Sequence, residues 1–187
     1  MYNFLKICYS KLEVNYKMWI IFGIILIATV AYFSVKTYKE IKDAELLRAE
    51  TVGNLEGALM MRYEVIEKLI NYSSGRIKDE NRFIIKLLEA RLIPTLERIQ
   101  VEKELVGNLK DLLFMIDGIP DLKCKKELTD YRLALAKAEK NIYDAKTFLN
   151  EKTRDYNRLL ETFPKNIIAK FGKFQVKDYY EIDFVTR

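Results

Sequence analysis

Hydrophobic positions follow two patterns along this chain. Near the N-terminus they are contiguous. Residues 18–35 (MWIIFGIILIATVAYFSV) carry no formal charge, with Met18 and Val35 at the ends and Lys17 and Lys36 just outside. Trp19 and Tyr32 sit close to those ends, where amphipathic rings prefer the headgroup level of a bilayer. At 1.5 Å rise per residue the run makes a helix of about 27 Å, near the hydrocarbon thickness of a membrane. A helix from a soluble core would carry a polar stripe over five turns, and this one does not. A cleaved signal would need a small-residue site after the apolar run, whereas Tyr32 and Phe33 stand there and no A-x-A follows. The pattern predicts a polar-aromatic arm over 1–17 and one membrane span over 18–36.

Beyond the span the apolar residues become periodic. Residues 37–53 are charged and free of proline, which predicts a juxtamembrane helix or linker that runs on into water or breaks near Gly53. Leu55, Leu59, Ile66, Leu69 and Ile70 then mark one helical face, and Ser73, Ser74 and Gly75 end it with a short turn. Ile85, Leu88, Leu92, Leu96, Ile99, Val106, Leu109, Leu113 and Ile116 step by three, four or seven. Their phase survives across Pro94, which favours one kinked helix over two, although proline inside a helix costs about 3 kcal/mol. Gly118 and Pro120 supply the next stop. Leu128, Tyr131, Leu135, Ala138, Ile142, Ala145, Leu149, Tyr156, Leu159 and Phe163 keep 3-4 spacing with only Lys152 polar on the seam. Such a coiled-coil-like seam calls for partner helices at a shallow angle. Residues 167–171 form one more short helix before Gly172, and the aromatic tail 176–187 packs down on the bundle or touches lipid. The expected fold is all-α: one N-terminal transmembrane helix, then an antiparallel bundle of three long helices plus a short C-terminal helix, over 54–175.

Composition narrows the chemistry. In 187 residues there are three prolines and seven glycines, and 32% of the chain is charged, a mixture suited to amphipathic helices and poor in turns for sheets. The net charge of +5 is spread among interleaved acids and bases, the look of solvated helix faces, so no nucleic-acid partner is expected. Histidine is absent, which removes a His base, a His ligand and a Ser-His or Cys-His dyad. Cys8 and Cys124 are far apart and are expected on opposite sides of the lipid. No catalytic residue, metal site or cofactor is expected, and the protein is read as a non-enzyme. Pairs such as Glu64 and Glu67 occur by chance on any helical surface this acidic.

Polar residues on apolar faces are the informative exceptions. Arg62 lies between Leu59 and Ile66, and Asn150 and Asn157, seven apart, border the Leu149/Tyr156 seam. Arg91 and Lys146 flank their seams in the same way. Buried without partners, such groups would each cost several kcal/mol. The expectation is a polar layer in which Arg62 and the asparagine amides bond across helices and fix register. The other reading is a ligand or partner site lined by the same groups.

Several segments resemble the LemA family of bacterial membrane proteins: MRYEVIEKLI (61–70), EAR (89–91), IPDLK (119–123), DYNRLLETFPKNIIAKFGKF (155–174) and YYEIDF (179–184). The densest piece, Tyr156-Asn157 followed by Phe163-Pro164 and Ile168-Ala169, is similar to the family's "yN…fP…iA" signature. Glu67 departs from a usual proline, Lys146 from an arginine, Leu149 from the tyrosine of a first "yN" pair, and the arm is longer than usual. The resemblance implies a bacterial cell membrane protein with a single span, an outside N-terminus, a cytoplasmic helical domain and no catalytic residues to carry over. On the residues alone, Lys6, Lys11 and Lys17 before the span barely differ in number from Lys36, Lys39, Lys42 and Arg48 after it. The function expected is a membrane-anchored scaffold or adaptor that touches membrane lipid and binds protein partners, or itself, through the bundle surface or tail. The alternative is a tethered sensor holding a small ligand or lipid headgroup in the bundle.

Overall fold

The computed structural model describes the backbone of residues 2–77 and 80–182 and the side chains of residues 17–77 and 80–182. Among the described residues every regular element is a helix: α1 (Tyr2–Ser73), α2 (Glu80–Leu92), α3 (Ile99–Asp117), the single turn α4 (Pro120–Lys123), α5 (Lys126–Glu161) and α6 (Lys165–Phe171). α1 is 72 residues long and passes through the expected arm, the apolar run and the juxtamembrane stretch without a break at Gly53. The arm's backbone therefore belongs to α1, while its side chains, Cys8 included, lie outside the described residues. So do residues 183–187 of the tail. The apolar window of α1 has a mean hydropathy of 2.3 and is wholly unburied, with Trp19 77% exposed. It is long and apolar enough to cross a membrane, as its composition requires.

The described residues of Met1–Asp43 and Leu159–Gln175 form one compact unit, and those of Ala44–Arg158 and Val176–Arg187 another. In the first, α6 lies against α1 just beyond the apolar run: Lys165 Nζ meets Glu40 Oε1 at 2.5 Å, and the Phe174 ring sits 5.5 Å from that of Tyr38. The second unit is the helical bundle. Its core is built from Leu55, Leu59, Ile66 and Leu69 of α1, Phe83 and Leu87 of α2, Leu105 and Leu109 of α3, and Leu128, Leu135, Ile142 and Leu149 of α5. Ser73 ends α1 and Gly75, at φ +73°, reverses the chain, a conformation glycine adopts without steric cost.

The middle of the bundle corrects the expected kinked helix. α2 ends at Leu92 and α3 begins at Ile99. The two run antiparallel, since Arg82 pairs with Asp111 and Lys86 with Glu104. Pro94 cannot donate to the ladder and restricts the residue before it. Its carbonyl instead accepts from the amides of Glu97 and Arg98 at 2.9 and 3.2 Å, closing a tight turn. The apolar phase across Pro94 misled because α2 is apolar on two sides. Phe83, Leu87 and Ala90 are buried, whereas Ile84, Ile85, Leu88 and Leu92 are exposed, Leu92 by 83%.

The long seam of α5 holds from Leu128 to Tyr156 and then rotates. Thr153, Asn157 and Leu160 are buried near its end, while Phe163 beyond it is 76% exposed. A straight helix drifts by about 20° per heptad against a seven-residue repeat, so five heptads turn the buried face by about 100°, one full residue position.

Candidate functional site

The core of the bundle contains a layer of charge. Arg62 and Tyr63 follow Leu59 by three and four positions and so fall on the face that α1 buries; both are fully buried. Glu102 occupies the corresponding place on α3, before Leu105 and Val106, and Glu139 lies between Leu135 and Ile142 on α5. Arg62 Nη2 donates to Glu102 Oε2, and its Nη1 lies 3.4 Å from Glu139 Oε1. The Tyr63 hydroxyl donates to the other Glu102 oxygen. Alongside, Arg98 at the head of α3 donates to Glu56, to Thr95 Oγ1 at 2.7 Å and to the Ala90 carbonyl at 2.5 Å. The last contact puts a cation on an open carbonyl at the C-terminal end of α2, where the helix dipole favours it. Thr95 donates in turn to Glu56. Helices α1, α2, α3 and α5 are thereby cross-linked by one network.

This layer holds two guanidiniums against three carboxylates. Burial pushes the Glu102 carboxyl up to about 7, against the opposing pull of Arg62 and with help from neighbouring Glu56 and Glu139. Burial and the nearby Glu102 likewise push the Tyr180 phenol upward. Arg62 Nε and the Tyr180 hydroxyl find no hydrogen-bond acceptor among the described residues, which raises the cost of the layer.

The two asparagines do something else. Asn157 Nδ2 donates to the Lys177 carbonyl at 2.8 Å while its Oδ1 accepts from the Lys177 amide at 2.9 Å. Asn150 does the same for Tyr180, at 3.0 and 2.8 Å. Each amide thus mimics one rung of a strand ladder. The spacing explains why two rungs fit: seven residues of helix rise about 10.5 Å, and three residues of extended chain cover about 10 Å. The tail runs antiparallel to α5, and it buries Tyr180 and Ile182.

The expected layer of Arg62 with the asparagine amides is therefore two separate arrangements. Arg62 bonds to carboxylates, and the asparagines bond to tail backbone. Arg91 lies outside both, partly exposed and paired with Glu67 at 2.7 Å, and Lys146 is half-buried on α5. The partners Glu56, Tyr63, Thr95, Arg98, Glu102 and Glu139 were not singled out in the sequence. A signal existed: the apolar step of seven from Ile99 to Val106 skips a seam position, and Glu102 fills it. Between α2 and α3 a surface groove of about 370 Å³ is lined by Arg82, Lys86, Glu104, Gly107, Asn108 and Asp111. Its lysine and arginine are matched to Glu104 and Asp111 at 2.6 and 2.7 Å, and the Glu104 hydrogen bond holds the Lys86 ammonium above its usual range. Among the described residues no three His, Cys, Asp or Glu side chains converge as a cation site requires.

Residues 51–187 match the family described as LemA. No curated protein sequence and no solved structure matches the chain.

Proposed function

The chain belongs to the LemA family, and from that premise we propose that it is a membrane-anchored, non-enzymatic scaffold whose bundle binds protein partners on its outer surface. The observation carrying this reading is the outward face of α2. Ile84, Ile85, Leu88 and Leu92 are between 40% and 83% exposed, although α2 already packs through Phe83, Leu87 and Ala90. A helix that already buries one apolar face and presents a second one to water leaves that second face in want of a cover, and an exposed apolar patch on a soluble domain marks an interaction surface. The interior supports the same reading. Its charges bond one another, two guanidiniums against three carboxylates, and the chain has no histidine for proton transfer. A ligand seated against Arg62 would have to displace Glu102 and Glu139, which disfavours the sensor alternative. The tail, one of the two expected partner surfaces, is pinned at Lys177 and Tyr180, leaving the bundle face as the better candidate. We propose further that the domain lies in the cytoplasm with the N-terminus outside, the orientation the family resemblance implies.

A photoactivatable side chain at Leu88, introduced in the full-length protein in native membranes, tests this directly. Specific protein adducts at Leu88, lost on adding Leu92→Asp, are expected. Absence of any adduct at Leu88 would overturn the assignment.

A further inference from the structure

The geometry points to a second membrane contact: the outward face of α6 rests on the surface of the same bilayer that holds α1, with its lysines against anionic headgroups. This inference rests on the reading of α1 as a membrane anchor. Phe163 lies just before α6, outside the helix, while Ile167 and Phe171, four residues apart, share one of its faces. They are 76%, 44% and 84% exposed, while Ala169 on the opposite side is buried. Two nearly bare phenylalanines and an exposed isoleucine leave roughly 300–500 Å² of aromatic and aliphatic surface without a protein partner among the described residues.

Position within the unit identifies what covers that face. α6 and the residues just after it touch α1 at Tyr38, Glu40 and Lys42. Those residues lie three to seven positions past Val35, or about 5–10 Å along the helix. The headgroup layer on each side of the hydrocarbon is itself about 5–8 Å deep. A helix docked there is at the height where amphipathic segments insert their apolar face.

Charge agrees with an anionic surface. From Thr162 to Lys177 the chain holds Lys165, Lys170, Lys173 and Lys177 and no acidic residue. Lys165 is paired with Glu40, whereas Lys170 and Lys173 make no ion pair among the described residues and are exposed. On α1, Lys36, Lys39 and Lys42 just past the apolar run are also exposed. Clustered lysines next to a span attract acidic lipid headgroups.

The test uses tryptophan fluorescence of the full chain in vesicles of phosphatidylglycerol and phosphatidylcholine, with and without bromine on the upper acyl carbons. Trp19 is the only native tryptophan, so the unaltered chain reports the span. A second protein, Trp19→Phe with Phe171→Trp, reports α6, and its substitution at an exposed site leaves the packing intact. Expected are quenching of Trp19 and, in the second protein, a blue-shifted emission that loses most of its intensity in brominated lipid. Adding Lys170→Glu and Lys173→Glu is expected to reverse most of that loss. If Trp19 is quenched but the reporter at 171 stays red-shifted and open to aqueous acrylamide, the α6 contact is overturned and the anchor stands. A reporter shielded from both quenchers means that a protein, such as a second copy, covers the face, which also overturns it. An unquenched Trp19 would sink the anchor and the α6 contact together.

Discussion

Arg62 stands where a leucine would satisfy the packing, and its charge is tolerated because Glu102 and Glu139 meet it inside the bundle. Breaking a buried pair from one side strands the other side's charge, which costs about 3–5 kcal/mol. Arg62→Leu should therefore destabilise the protein by that order in chemical unfolding of the detergent-solubilised chain. Adding both Glu102→Leu and Glu139→Leu should recover most of the loss, since neither carboxylate that met Arg62 is then left stranded. A stability gain from Arg62→Leu alone would contradict the buried pairing. Glu102 also makes stability depend on pH. Its folded-state value near 7 lies above the ordinary 4.5, so the native state holds this proton more tightly than the unfolded chain does. Its contribution is present below pH 4.5 and is lost as pH rises through 7, on the order of 3 kcal/mol in all. Unfolding curves at pH 5 and pH 8 should show that decline, and Glu102→Gln should flatten it. Arg62 itself was legible in the sequence as an anomaly on an apolar face. Its partners were not, because a glutamate on a helix surface and one in a seam are the same letter until neighbouring helices are placed.

At the level of elements, the asparagine pair on α5 and the tail act as one device. Because both rungs bond backbone rather than side chains, they hold an extended segment whatever its sequence, as strand addition does. Asn157→Ala should release the Lys177 amide, and Asn150→Ala the Tyr180 amide, each seen as faster hydrogen exchange at that position with the α5 core unchanged. Equal exchange before and after would mean that Tyr180 and Ile182 alone retain the tail. Periodicity located α5 well because it has one dominant apolar face. It found the apolar run and the bundle face of α1 without showing that both lie on one helix; Ser73, Gly75 and Gly172 mark ends that local chemistry dictates. It failed on α2, whose apolar residues cover two faces, so that no single phase could identify the buried one. Pro94 signalled a break that the surviving phase argued away. The seam spacing of Asn150 and Asn157 was visible too, but a backbone partner leaves no trace in residue identity.

For the whole molecule, the family assignment and the apolar stretch of α1 agree on a protein held in the membrane, with its polar interior closed on itself. The exposed thiol of Cys124 reports which side the bundle occupies. A membrane-impermeant maleimide should leave it unmodified in intact cells and modify it after lysis, and labelling of intact cells would reverse the proposed orientation. The central claim is that the bundle works through its α2 surface. Native gel electrophoresis of gently solubilised membranes tests it most directly, comparing the unaltered chain with Ile85→Glu/Leu88→Glu. The unaltered chain should migrate in an assembly larger than the monomer and the double variant as the monomer, both with full helical content. Identical migration of the two would contradict the account.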